Sequence, residues 1–280
     1  MLNRLPATLT LAIAFVLLAT ISASAETWPQ FRGTTGSGVS SESNLPTEWS
    51  ESNNVLWKTD LPGFANSSPA VTEKYVVLTT QTKDDSLWVL VLDRKTGAVQ
   101  QKVNVGTGKL AARGPANLYA HRHNAATPSP IAQDDRVWAF FGTGLLVCLN
   151  AENGDVVWQK DMVKEYGVYD ITFGMGSSPR LWGEQLYVSC LTKGATYIVA
   201  LDAATGSEKW KVDRTLPAKD DGPDAYSTPI VAGNQLLISG SDHVNAYNLL
   251  SGKQEWVCDG LTIDSPYGRI IASPVPTPEG

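Results

Sequence analysis

The chain has 280 residues, a formal net charge of −6, 42% hydrophobic residues, 24 glycines, 16 prolines and nine tryptophans. An acidic chain without basic runs excludes nucleic acid and anionic membrane surfaces as ordinary partners. So many glycines, prolines and tryptophans suit a turn-rich all-β protein better than a helical one.

The first element in chain order is an address rather than part of the fold. Arg4 supplies a basic start, Leu9 to Ile21 is an apolar and small-residue stretch, and Ala23-Ser24-Ala25 offers a small-residue cleavage site. Residues 1–25 therefore read as a signal peptide, and its loss removes Arg4 and moves the net charge from −6 to −7. The apolar stretch is too short to span a bilayer core, and no second such run follows. The cleavage region holds no cysteine that could receive a lipid. The expected location is periplasmic or secreted, with no membrane span; a retained amphipathic anchor is the other reading of these residues.

Beyond an N-terminal segment, residues 26–66, the chain repeats itself. Small residues and proline recur at Ser67-Ser68-Pro69, Pro128-Ser129-Pro130, Ser177-Ser178-Pro179, Ser227-Thr228-Pro229 and Ala272-Ser273-Pro274, and successive final prolines stand 61, 49, 50 and 45 residues apart. The first four openings each lead into a β-type run: Tyr75–Thr80, Val137–Phe141, Leu186–Cys190 and Leu236–Ser239. Second runs follow at Leu87–Leu92, Leu145–Leu149, Tyr197–Leu201 and Val244–Tyr247. Turns carrying Gly97, Gly154, Gly206 and Gly252 come next. Four residues after the last three stand Trp158, Trp210 and Trp256; Gln101 holds that place in the first repeat.

Runs of this composition between turn formers predict about four short strands per repeat. A period near 45–50 residues fits a four-stranded antiparallel sheet, the blade of a β-propeller. A plain β-sandwich would explain the strands but not the proline-to-glycine-to-tryptophan spacing. Within the turn, Asp202 and Thr205 can bond backbone groups, and Gly206 can take a positive φ at little cost. Trp210 then offers a flat surface for packing blade against blade.

Ala200, Asp202, Thr205, Gly206 and Trp210 match the A-x-D-x-x-T-G-x-x-x-W pattern of pyrroloquinoline-quinone-like (PQQ-like) repeats. Asn150–Trp158 and Asn248–Trp256 resemble weaker copies, while Asp93–Gly97 lacks the tryptophan. Trp28-Pro29-Gln30-Phe31-Arg32-Gly33, Leu45-Pro46-Thr47-Glu48-Trp49 and Val55-Leu56-Trp57-Lys58 resemble the opening of a bacterial group of exported propellers similar to outer-membrane protein assembly factor B. The resemblance covers roughly residues 28–275 and implies a ring of seven or eight blades. It also implies a structural blade-docking role for Asp202, Thr205, Gly206, Trp210, Gly154, Trp158, Gly252 and Trp256. Two departures stand out. Quinoprotein alcohol dehydrogenases carry an adjacent cysteine pair that is missing here, and the assembly factor in its best-known form is a lipoprotein.

The repeats, residues 67–280, hold material for four blades and the opening of a fifth. A ring of seven or eight blades at this period needs roughly 320–400 residues. The expectation is a propeller truncated at its C-terminus, with the segment around Trp57 as the ring-closing strand. Two half-rings forming a dimer, or an unusually small ring, are the alternatives. Open blade edges would allow self-association.

The long first spacing contains residues 113–127, rich in polar side chains. His121, Arg122 and Asn124 are candidates to face the channel mouth and contact an anion or a polar peptide; a loop that merely bonds itself over the blade is the plainer reading. His121 and His123 have no third ligand nearby, and Asp220, Asp221 and Asp224 do not follow a calcium-loop spacing, so no metal site is expected. Cys148, Cys190 and Cys258 allow one disulfide and a free thiol, or three buried thiols. No catalytic residue set is recognisable. The expected function is a non-catalytic scaffold binding a protein or peptide partner in the cell envelope, without cofactor. Alternatives are a fragment of a PQQ-dependent alcohol or sugar dehydrogenase, which would need PQQ with calcium, and a domain docking onto a larger secreted enzyme.

Overall fold

The computed structural model describes residues 25–110, 123–215 and 217–275. The signal-peptide stretch, apart from Ala25, and the candidates His121 and Arg122 lie outside these residues. In chain order, β1 (Ala70–Val71), β2 (Tyr75–Gln81), β3 (Ser86–Asp93) and β4 (Val99–Thr107) form the first sheet. The second holds β5 (Ile131–Gln133), β6 (Arg136–Phe140), β7 (Leu145–Asn150) and β8 (Val156–Asp161). A one-turn helix, α1 (Met162–Tyr166), leads to β9 (Arg180–Trp182), β10 (Gln185–Leu191), β11 (Thr196–Asp202) and β12 (Glu208–Asp213). The fourth sheet holds β13 (Ile230–Ala232), β14 (Gln235–Gly240), β15 (His243–Asn248) and β16 (Gln254–Cys258). Each is an antiparallel meander in sequence order, so the protein is a series of propeller blades.

Period-two alternation makes the core a set of layers between blades. On β6, Val137 and Ala139 join Val77, Val89 and Val91 of the first blade. Their neighbours Trp138 and Phe140 turn the other way, toward Leu186, Val188 and Cys190 of the third. On β10 the next alternate residue, Tyr187, packs with Leu236, Ile238 and Tyr247 of the fourth. Each middle blade is therefore buried on both faces, which explains its continuous apolar runs. Cys148 and Cys190 are buried free thiols, as their place in strand-like runs suggests, and Cys258 is an exposed one, so neither a disulfide nor three buried thiols is found. The reason is geometric: two of the cysteines point into interblade layers, and the third lies on the outer strand β16.

The opening motifs lie side by side. The Ser68 N–H donates to Ser129 Oγ (2.9 Å), the Ser129 N–H to Ser178 Oγ (2.9 Å), the Ser178 N–H to Thr228 Oγ1 (3.1 Å) and the Thr228 N–H to Ser273 Oγ (2.8 Å). From the second opening onward, the hydroxyl residue accepts the amide of the preceding opening. The belt brings the short first strands together around the axis.

At the far ends of those strands, the Trp28–Gly36 segment crosses all four blades. Trp28 bridges to Val71, the Ala132 N–H donates to Pro29 O (2.8 Å), and the Leu181 N–H donates to Gln30 Oε1 (3.0 Å). A Cβ on Gly36 would stand 2.7 Å from Ile230, so only glycine lets the backbone approach so closely. Arg180, 1% exposed, donates to Pro229 O (3.0 Å), Gly33 O (3.2 Å) and Phe31 O (3.0 Å). Burial, helped by the nearby Arg32 charge, lowers its pKa to about 10. It stays cationic at neutral pH, held by carbonyl dipoles.

Candidate functional site at the channel mouth

Antiparallel meanders place two kinds of turn on opposite sides of the blades. The turns after β3, β7, β11 and β15 share one chemistry. Asp93 Oδ1 accepts from the Lys95 and Thr96 amides, Asn150 Oδ1 from Glu152 and Asn153, Asp202 Oδ1 from Ala204 and Thr205, and Asn248 Oδ1 from Leu250 and Ser251. The glycine amide four residues on closes each turn at 2.8–2.9 Å. These glycines have φ between 68° and 78°, a region other residues rarely adopt.

Each turn also receives a side chain from the preceding blade or segment. A Cβ on Gly206 would stand 2.7 Å from the Trp158 ring, and one on Gly252 2.5 Å from Trp210. The indole N–H of Trp158 donates to Ala203 O (3.1 Å), and that of Trp210 to Leu249 O (2.9 Å). Gln101 reaches the Gly154 turn instead, donating to Glu152 O at 2.7 Å. Trp57 lies against Gly97 and donates to Arg94 O (3.0 Å), although residues 55–60 have no strand assignment. Trp256 differs: it is 39% exposed and donates to Gln235 Oε1 of its own blade (3.3 Å).

The opposite side, termed the mouth after the expectation from sequence, carries the connections between blades that enter the first strands. Asn124 lies here, but its side chain ties the loop to itself and to the N-terminal segment: Nδ2 donates to Phe64 O (2.8 Å) and Oδ1 accepts from the Ala126 N–H (3.0 Å). His123 meets Phe173 edge-on at 6.3 Å, and burial lowers the imidazole pKa. Tyr226 also leans on Phe173, its hydroxyl accepting the Phe173 N–H (3.2 Å).

Sequence reasoning missed Arg269. Its guanidinium lies 4.7 Å from the Phe173 ring centre, Nε donates to Tyr267 O (3.3 Å), and Nη2 pairs with the Asp221 carboxylate. Lys193 stands 3.7 Å from the other Asp221 oxygen. Asp224, fully buried, accepts from the Thr172 N–H (2.8 Å) and hydroxyl (2.7 Å). The two aspartates thus brace mouth loops. Phe173, Tyr226, Ile263, Tyr267, Arg269 and Ile271 line an open, mainly apolar cleft of about 480 Å³. Among the described residues, no group of three or more His, Cys, Asp or Glu could hold a metal ion.

A family model described as outer membrane protein assembly factor BamB matches residues 37–173 and 142–275. The chain belongs to the BamB family. A curated relative, the quinohemoprotein alcohol dehydrogenase ADH IIB of Pseudomonas putida, is 25% identical over 135 residues, covering 46% of this chain and 19% of the relative. BamB from Moraxella catarrhalis has a TM-score of 0.47 at 16% identity, covering 72% of this chain and 51% of that one. The quinohemoprotein alcohol dehydrogenase of Comamonas testosteroni has a TM-score of 0.59 at 14% identity, covering 85% of this chain and 42% of that one. This BamB-family chain thus spans about half or less of the length of these three proteins. The Comamonas likeness speaks for the shared fold alone. Among the described residues no helix is long and apolar enough to cross a membrane.

Proposed function

We propose that this chain is a non-catalytic scaffold that binds protein or peptide segments in the cell envelope. The observation that carries this reading is the open cleft at the mouth, with apolar walls around Phe173 and one cation, Arg269. Convergence of a few polar groups on an apolar concavity is the usual mark of a binding site. Membership of the BamB family supports an envelope protein as the partner. Under this reading no cofactor takes part, and His121, Arg122 and Asn124 are proposed as contacts for an anion or polar peptide.

The test is an array of short peptides drawn from envelope proteins, probed with the purified full chain. Discrete binders whose affinity falls at least about tenfold in Phe173→Ala support the scaffold, since losing a buried aromatic contact is worth that much. An array without binders sinks it.

A second reading, a PQQ-dependent dehydrogenase fragment, is favoured by the 25% identity to the Pseudomonas enzyme. Against it stand the cysteines, two sealed in the core and none adjacent to another. Adding the quinone and calcium to the full chain distinguishes the two: a shifted absorbance spectrum with alcohol turnover would overturn the scaffold reading.

A further inference from the structure

We propose that Arg269 is a carboxylate-binding residue, and that the cleft takes a peptide presenting an acidic side chain next to an aromatic or branched apolar one. This rests on the scaffold reading and specifies its ligand. The Arg269 side chain is 9% exposed and lies close to the Tyr226 hydroxyl, yet among the described residues its Nη1 has no partner in hydrogen-bonding geometry. Buried guanidinium N–H groups are nearly always satisfied, and an orphan one marks a position where an incoming acceptor gains most.

The arginine is also held ready. Tyr267 O fixes Nε, Asp221 fixes Nη2, and Phe173 supports the guanidinium, so little rotamer freedom remains to be lost on binding. The contact chain Lys193–Asp221–Arg269 has two cations to one carboxylate, which favours an anionic acceptor over a neutral one. The apolar character of the neighbouring walls, Phe173, Ile263 and Ile271, favours a carboxylate carried on a peptide over inorganic phosphate. Nη1 is sealed from solvent, so an acceptor reaches it only if a wall side chain moves, and the Tyr267 ring, 77% exposed, is the most exposed of those lining the cleft.

Position supports the choice. Ala125, Gly174, Asp224 and Arg269 each stand five residues before the opening prolines Pro130, Pro179, Pro229 and Pro274. Arg269 therefore occupies a place at the mouth that successive blades fill with different chemistry. In that series it is the residue able to recognise an anion.

The experiment uses fluorescence-labelled, terminally blocked decapeptides with a central Phe-Glu, Phe-Gln, Ser-Glu or Phe-phosphoserine pair. On the full chain, Phe-Glu should bind about tenfold more tightly than Phe-Gln or Ser-Glu. Arg269→Gln should abolish the preference, so that Phe-Glu and Phe-Gln then bind within about twofold of each other. Arg269→Lys should restore part of it, and thermal melts of both variants check folding. Equal binding of Phe-Glu and Phe-Gln overturns the proposal. So does tighter binding of the phosphoserine peptide, or array binders indifferent to Arg269→Gln; in that last case the scaffold reading survives. If the array yields no binders, the scaffold reading itself fails.

Discussion

Two kinds of glycine in this protein share a backbone region but differ in what surrounds them. Gly206 has φ 72° and the Trp158 ring at its face, whereas Gly233 has φ 59° and nothing within 4 Å of the place a methyl group would take. Gly233→Ala should cost about 1 kcal/mol, the left-handed backbone term alone. Gly206→Ala should cost about 3 kcal/mol, because the ring must also move. Urea melts of both variants measure the difference, and equal losses would remove the indole from the account. Asp202 offers a second test in the same turn. The Lys209 ammonium and the Thr205 hydroxyl hold its carboxyl at about 2, below the ordinary 3.8. A depressed folded pKa means stability that is present above about pH 4 and lost as the pH falls toward 2. Asn150 and Asn248 make the same backbone contacts without ionising, so Asp202→Asn should fold normally at neutral pH. Its stability should fall less steeply between pH 4 and 2 in equilibrium melts, and an unchanged slope would refute the linkage.

Among elements, the segment that crosses the blades has the largest reach. Arg180 joins β9 to three carbonyls, two of them in that segment. Arg180→Ala leaves those acceptors buried and should cost roughly 3 kcal/mol. It should also speed tryptic cutting after Arg32; slow cutting would mean that Gln30 and Trp28 suffice to hold the segment. These elements differ in how far the sequence announces them. The strands, the hydroxyl-proline openings and the Asx-glycine turns are legible because each depends on residues a few places apart, repeated four times. Trp28–Gly36 is recognisable as a motif, but its course is not, because its partners lie as far as residue 230. The mouth was harder still. Phe173, Tyr226 and Arg269 come from three separate connections, match no motif, and stand at different distances from their opening prolines, so no shared spacing announces them. The stretch before Pro128 drew attention through its density of polar residues, yet Asn124 spends its hydrogen bonds on neighbouring loops.

Over the whole molecule, the two faces of a blade have different fates. Trp210 on β12 is 8% exposed beneath the fourth blade, while Trp256, at the matching place on β16, is 39% exposed and Val257 beside it 41%. An outer strand exposed along its length, with apolar side chains, is a template for pairing with another chain. Val257→Lys should therefore lower concentration-dependent association in sedimentation velocity while leaving the melting temperature within about 2 °C, as expected of an exposed substitution. Association that persists unchanged would assign it to another surface.

The hydroxyl belt has a consequence for how such proteins can change over generations. Every link runs the same way, from an amide in one opening to a hydroxyl in the next, so the second, third and fourth blades each bring one donor and one acceptor. A copied or deleted blade leaves the joint chemically intact, with no amide stranded at the seam. Lineages can then lengthen or shorten the array by whole units, while each mouth connection is free to diverge.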